Sequence, residues 1–141
     1  MFLQALIREV EAARIAKFGK TLFGSLYPST APDECVLIRS SGGPAPSKYL
    51  PVQEHAIQFL SRAVDYPTAE ANVWKIFRLF HGRVDAGAWT SKHNYTVGSI
   101  ETGTFYILKS EALQLPTDIS PDEAGRAEVS LNILFRVRLS A

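Results

Sequence analysis

Cys35-Val-Leu-Ile38, Ser40-Ser-Gly-Gly-Pro-Ala-Pro-Ser47, the alternating run Glu54 to Val64 and the segment Pro67 to Gly82 follow one another along the chain. In that order they spell a strand, a loop, a second strand and a helix. Val36 to Arg39 is aliphatic and β-branched, and Ser-Ser-Gly-Gly stops it, because glycine frees φ while Pro44 and Pro46 offer no N–H. From Glu54 to Val64 the spelling is close to period two. His55, Ile57, Phe59 and Ala63 point one way and Gln58 and Arg62 the other, which predicts a sheet with one packed face and one polar face. Pro67 opens a helix, since a first-turn proline gives up only an orphan N–H. Ala69, Val73, Ile76, Phe77 and Phe80 then form one buried stripe, and Gly82 suits a left-handed stop. The helix is expected to cover the apolar face of the sheet.

The rest of the chain extends this unit. At 141 residues it is long enough for one domain spanning 1–141 that buries roughly two-thirds of its unfolded surface. Hydrophobic content of 46% and charged content of 21% argue against global disorder and against a membrane span. Arg8 and Glu9 interrupt the apolar start, so Met1 to Val10 reads as helix rather than as a signal peptide. The single cysteine, Cys35, excludes an internal disulfide and a cysteine-based zinc site. It is expected to be a small buried hydrophobe.

Phe2 to Phe18 is predicted as the first helix, with Leu3, Leu6, Ile7, Val10, Ala13 and Lys17 on one face and Gly19 at its end. Lys20 to Glu34 reads as a connection or a short strand near Leu22 and Phe23. After the second helix, Arg83 to Thr90 has no clear pattern. His93 to Ile100 and Phe105 to Leu115 alternate around a turn at Glu101 to Thr104, which predicts a hairpin. Pro116 to Gly125 is a polar loop. Ala127, Val129, Leu131, Ile133, Phe135, Val137 and Leu139 then share one face of a last strand, broken only by Leu134. Its thirteen residues reach roughly 43 Å, so the strand either bends or pairs in part with another subunit. The predicted fold is α+β, two helices on one face of a mainly antiparallel sheet, in the order α-β-β-α-β-β-β.

Catalytic patterns are missing. His55, His81 and His93 have no metal-ligand spacing, and the residues ask for no metal or cofactor. His81, in the last turn of its helix, suits a cation against the dipole. Ser41-Gly42-Gly43 lacks the lysine and the following helix of a phosphate loop. Asp122 and Glu123 read as solvated neighbours. Trp74 falls off the buried stripe beside Arg78, where it either anchors a partner or widens the stripe, and Trp89 has the same two readings. A net charge of +1 gives no broad electrostatic attraction to nucleic acid. An enzyme is therefore disfavoured, and a monomeric adaptor that binds a peptide along a strand edge is the stronger rival.

Two stretches carry a resemblance. Val36-Leu-Ile-Arg-Ser-Ser-Gly-Gly-Pro-Ala-Pro46, Ala56 to Ala71 and Leu79-Phe-His-Gly82 form the first, and Asp122-Glu-Ala-Gly-Arg-Ala-Glu-Val-Ser-Leu-Asn132 with its tail to Arg138 forms the second. Together they resemble the tail terminator or minor capsid (neck) proteins of long-tailed bacteriophages. The resemblance implies a non-enzymatic virion protein, made in the host cytoplasm, that assembles as a six-membered ring on the last ring of the tail tube. Such a ring limits tail length, meets head completion or connector proteins on its other face, and passes DNA through its bore without sequence-specific binding. It implies no membrane contact. Gly42, Gly43, Tyr49, Asp122, Gly125, Arg126 and Asn132 occupy the patterned places. A head completion protein is the alternative within the same neck. The loop from Ser40 to Pro51 is expected to order only against a neighbour, because it offers little apolar area to offset its entropy.

Overall fold

The computed structural model describes residues 2–45, 52–84, 91–97 and 101–140. Along the chain run α1 (Phe2–Ala12), β1 (Leu22–Gly24), β2 (Cys35–Gly42), β3 (Val52–Ala63), α2 (Tyr66–Phe80), β4 (Arg83–Val84), β5 (Ser91–Val97), β6 (Glu101–Ala112), β7 (Thr117–Ile119) and β8 (Ala127–Ser140). The fold is α+β as expected, with three short strands, β1, β4 and β7, added to the predicted order. The sheet is ordered β1-β2-β3-β8-β6-β4, with β5 also on β6 and β7 also on β8. Among the described strands, only β1 and β2 pair in parallel.

The centre of the sheet is the antiparallel pair β3 and β8, in register from Val52↔Arg138 to Ala63↔Ala127. On the other side of β8, β6 pairs from Thr104↔Ser140 to Ala112↔Ile133, and β7 pairs from Thr117↔Ser130 to Ile119↔Glu128. The length of β8 is thus taken up by partners within the chain. The expectation that part of it pairs with another subunit is corrected, because β3 is itself twelve residues long and matches it.

Period two then decides what is buried. Ile57, Phe59 and Ala63 of β3 share one core with Val36 and Ile38 of β2 and with Val129, Leu131, Ile133, Phe135 and Val137 of β8. Ala5, Leu6, Ile7 and Val10 of α1 and Ala69, Val73, Ile76 and Phe80 of α2 belong to that same core. At its middle Phe80 stacks on Phe59 (centroids 5.7 Å apart) and meets Phe135 edge-on (5.1 Å). Phe77 is only half-buried, on the flank of this stripe rather than in it.

The opposite face is not uniformly polar. Phe23, Cys35, Leu37 and Leu60 form a second, smaller cluster with Tyr27, Ala31 and Ile119. Arg62, expected on the polar side, is 5% exposed. Its Nη2 donates to the Pro32 carbonyl (2.8 Å), its Nε to the Asp33 carbonyl (3.3 Å), and its guanidinium lies 4.3 Å from the Tyr27 ring centre. A charge buried this way keeps its donors bonded, which is the condition for burying it at all.

Three boundaries also differ. Helix α1 ends at Ala12, not Phe18. The Ile15 N–H donates to the Val10 carbonyl (3.2 Å) and the Arg14 N–H to the Glu11 carbonyl (2.9 Å), with Arg14 at φ 58°. These are the paired bonds of a left-handed helix stop, so an arginine takes the place usually given to glycine. Strand β2 runs on to Gly42 through a bulge between Ser40 and Gly42. Glu101 to Thr104 is not a turn but strand, paired with Val97 to Asn94, where Thr102 and Thr104 suit a pleated backbone. The Pro116 to Gly125 loop likewise contains β7.

Phe80→Ala is expected to cost about 3 to 5 kcal/mol in urea melts, because a fully buried ring leaves a cavity. Phe77→Ala, from the half-buried flank, should cost less than about 2 kcal/mol. Equal losses would contradict the placement of the stripe.

Candidate protein interface

Helix α2 is held at both ends. Asp65 caps its start: its Oδ2 accepts the Thr68 N–H (3.1 Å), the Thr68 hydroxyl donates to its Oδ1 (2.9 Å), and Pro67 sits in the first turn. At the other end the His81 N–H donates to the Phe77 carbonyl (2.8 Å), and Gly82 follows at φ 75°. The Ser110 hydroxyl donates to the Phe80 carbonyl. His81 Nδ1 accepts the Ala112 N–H (3.0 Å). That bond uses the lone pair on Nδ1, so His81 ties the end of the helix to β6.

With the apolar stripe turned inward, a second row faces out. Tyr66, Glu70, Trp74 and Arg78 recur every fourth residue, and with Pro67, Ala71 and Lys75 they line a shallow groove of about 690 Å³. The Tyr66 hydroxyl is hydrogen-bonded to Glu70, which raises its pKa above the ordinary value. Trp74 widens the core stripe, which is one of its two readings. Its half-buried indole packs against the edge of the core and meets Phe77 edge-on (4.9 Å), while Phe77 stacks on His81 (4.6 Å). A tryptophan braced on one side and open on the other is preorganised for contact.

The remaining candidates lie elsewhere. Gly42, at φ 84°, closes the bulged end of β2, where its N–H donates to Ser40 Oγ (3.2 Å). A Cβ on Gly43 would lie 2.2 Å from the Glu54 carbonyl oxygen, so the chain crosses β3 too closely for any side chain there. Asp122 and Arg126 meet in the turn between β7 and β8, with Arg126 Nε donating to Asp122 Oδ2 (2.7 Å). The Arg126 N–H (2.8 Å) and the Ala124 N–H (3.1 Å) both donate to Asp122 Oδ1, and Gly125 supplies the left-handed φ of 77°. Arg126 Nη1 also reaches Asp33 (3.3 Å). The solvated pair expected at Asp122 and Glu123 is thereby corrected: Asp122 organises its own turn, and Arg126 ties that turn to the segment over Arg62. Asn132 lies apart from this turn, its Nδ2 donating to Gln114 Oε1 (3.3 Å). Tyr49 and Trp89 lie outside the described residues, as does the 46–51 part of the loop expected to order on a neighbour.

The described candidates thus divide between turn and backbone geometry, one row on α2, and Asn132 on the sheet. His55, the histidine on the core side of β3, is half-buried and pairs through Nε2 with Gln53 Oε1 (2.9 Å). Burial lowers its pKa. Sequence reasoning found Trp74 and Arg78 but missed Tyr66, Glu70 and Lys75. The signal for Tyr66 and Glu70 was the row of every fourth residue that starts just after the cap.

A sequence model of the family described as bacteriophage tail terminator protein matches residues 9–138. The chain belongs to this family. No curated protein matches it. The matched span runs from the third turn of α1 through nearly all of β8, so it takes in the whole sheet and α2. Membership in the tail terminator family makes the chain a structural protein of the phage tail and a virion component that meets other virion proteins. Among the described residues, no helix is long and apolar enough to cross a membrane.

Two carboxylates near the Asp122 turn titrate in opposite senses. Burial pushes Asp122 up, but the hydrogen bonds from the Arg126 backbone and guanidinium outweigh it and hold the carboxyl below its ordinary 3.8. Its stabilising contribution is therefore full above that value and is lost as pH falls through the lower native one. Glu128 is raised above 4.5, by burial first and then by Asp122, so it disfavours the fold as pH climbs through its native value. Thermal melts of Asp122→Asn below about pH 4 should show a flatter pH dependence than the parent. Glu128→Gln should remove the opposite slope above it. An unchanged acid limb in Asp122→Asn would refute the assignment.

Proposed function

We propose that the protein acts as a terminator in the strict sense. Copies close into a ring, six by the family pattern, on the last ring of the tail tube, stop further growth and offer the opposite face to the head completion proteins. The observation that carries this reading is the family match over residues 9–138. The outward row of α2 supports it physically. Tyr66, Trp74 and Arg78 are the residue types that dominate protein interfaces, and they stand on a helix capped at its start and bonded to β6 at its end. A ring needs one patch that meets a different patch on the next copy, with a rotation that closes. A rigid aromatic row on a single helix suits one side of such a contact. The Asp122–Arg126 turn, fixed by its own bonds, is a second firm feature for a tail or head partner.

Electron micrographs of particles assembled without this protein test the reading directly. Tail tubes of abnormal and variable length are expected. Tails of normal length lying unattached to heads would instead make it a joining protein. Purified Arg78→Glu should sediment as smaller species than the parent while its stability stays within about 0.5 kcal/mol, as for most surface substitutions. Intact rings in that variant would remove α2 from the contact.

A further inference from the structure

The face of the sheet away from the helices has a covered end and an open end. At the covered end lie Tyr27, Leu60 and Arg62. Toward the open end the outward residues of neighbouring strands fall in rows: Arg39, Gln58 and Asn132; then Glu54, Arg136 and Lys109; then Val52, Arg138 and Tyr106. Four cations, Arg39, Lys109, Arg136 and Arg138, share this end with two carboxylates, Glu54 and Glu111, an excess of two positive charges.

Lys109 and Arg136 stand directly opposite one another across β6 and β8, with the β6 bulge at Leu108 setting the register. Like charges in such positions oppose strand pairing. Arg138 lies two residues further along the same face, its guanidinium 4.8 Å from the centre of the Tyr106 ring. Glu111 meets Lys109 at 3.5 Å. Arg136 and Arg138 make no ion pair among the described residues, and both are exposed. Lys109, Arg136, Glu54, Glu111 and the half-buried Leu134 surround a depression of only about 60 Å³, too small to admit a base or an aromatic anchor.

We infer that this open face is a sequence-independent seat for the phosphate backbone of duplex DNA, with Arg39, Lys109, Arg136 and Arg138 as its contacts. The inference rests on the reading of the protein as a ring around the DNA path. Guanidinium forks suit phosphate oxygens, and contacts to the backbone alone position a duplex without reading its sequence. A protein partner fits less well. The one aromatic described at this open end, Tyr106, lies against Arg138, whereas interface centres are low in charge and built on aromatic anchors, which is what α2 offers instead.

Fluorescence anisotropy with a labelled duplex of about 30 base pairs and arbitrary sequence, titrated from about 50 to about 200 mM salt, provides the test. Binding should weaken steeply with salt and be alike for unrelated sequences. Arg136→Gln with Arg138→Gln should lower affinity at least about tenfold at the low-salt end, and Lys109→Gln alone should lower it less. Melts of each variant establish that it folds, and Lys20→Gln, at an exposed lysine outside this face, should bind as the parent does. No binding at low salt, binding untouched by the sheet substitutions, or tighter binding of a poly-glutamate peptide than of the duplex would overturn the inference. Sedimentation of the same samples separates the two readings. Duplex bound by protein that never forms rings upholds the phosphate seat and sinks the ring, and rings indifferent to duplex do the reverse.

Discussion

The twelve-residue antiparallel ladder between β3 and β8 is the constraint from which the rest follows. Once these strands are matched end to end, period two leaves Ile57, Phe59, Val129, Leu131, Ile133, Phe135 and Val137 on one side with nothing but water unless something covers them. Only two residues separate β3 from α2, so α2 can fold directly back over its own strand. Phe80 then reaches Phe59 and Phe135, and the aromatic contact fixes where the helix lies. Its outward row is a by-product of that inward fit. The side presented to a partner is set by the side required by the core.

What could be read in advance was what repeats. Seven alternating apolar residues in β8 and the Ala69–Val73–Ile76–Phe80 stripe in α2 carry their own period, and both elements stand as expected, as does the Pro67 start. Strands of two or three residues, such as β1, β4 and β7, are too short to have a period, and they form only because a neighbouring strand offers bonds. The end of α1 was hidden because the signal sought was glycine, while the chain places Arg14 at positive φ and lets Ile15 join the core in compensation. Arg62 was misplaced for a related reason. Alternation reports which face a residue is on, but not whether a loop distant in sequence, here residues 25–34, folds across that face.

The candidate interface was legible in the same uneven way. Trp74 and Arg78 stood out because they broke the buried stripe. Asp122 and Arg126 showed only as charges in a loop, since the bonds that join them depend on a backbone turn that composition does not specify. The sheet adds a contrast that no count over the whole chain could carry. One end of its outer face is sealed by Tyr27 over Arg62, and the other is left to exposed cations. A net charge near zero can therefore conceal a markedly uneven field.

The ladder also has a mechanical side. Bonds between antiparallel strands run across the strand direction, so a pull along β3 against β8 loads all of them together, while a pull that lifts one strand away loads them one after another. The centre of this sheet resists the first kind of load over its full twelve-residue length. Its margins, held by three residues at β1 on one side and by two at β4 and seven at β5 on the other, face the second. Under tension the sheet would fray from its rim inward, and a connection meant to bear force is strongest when it draws on the ends of β8.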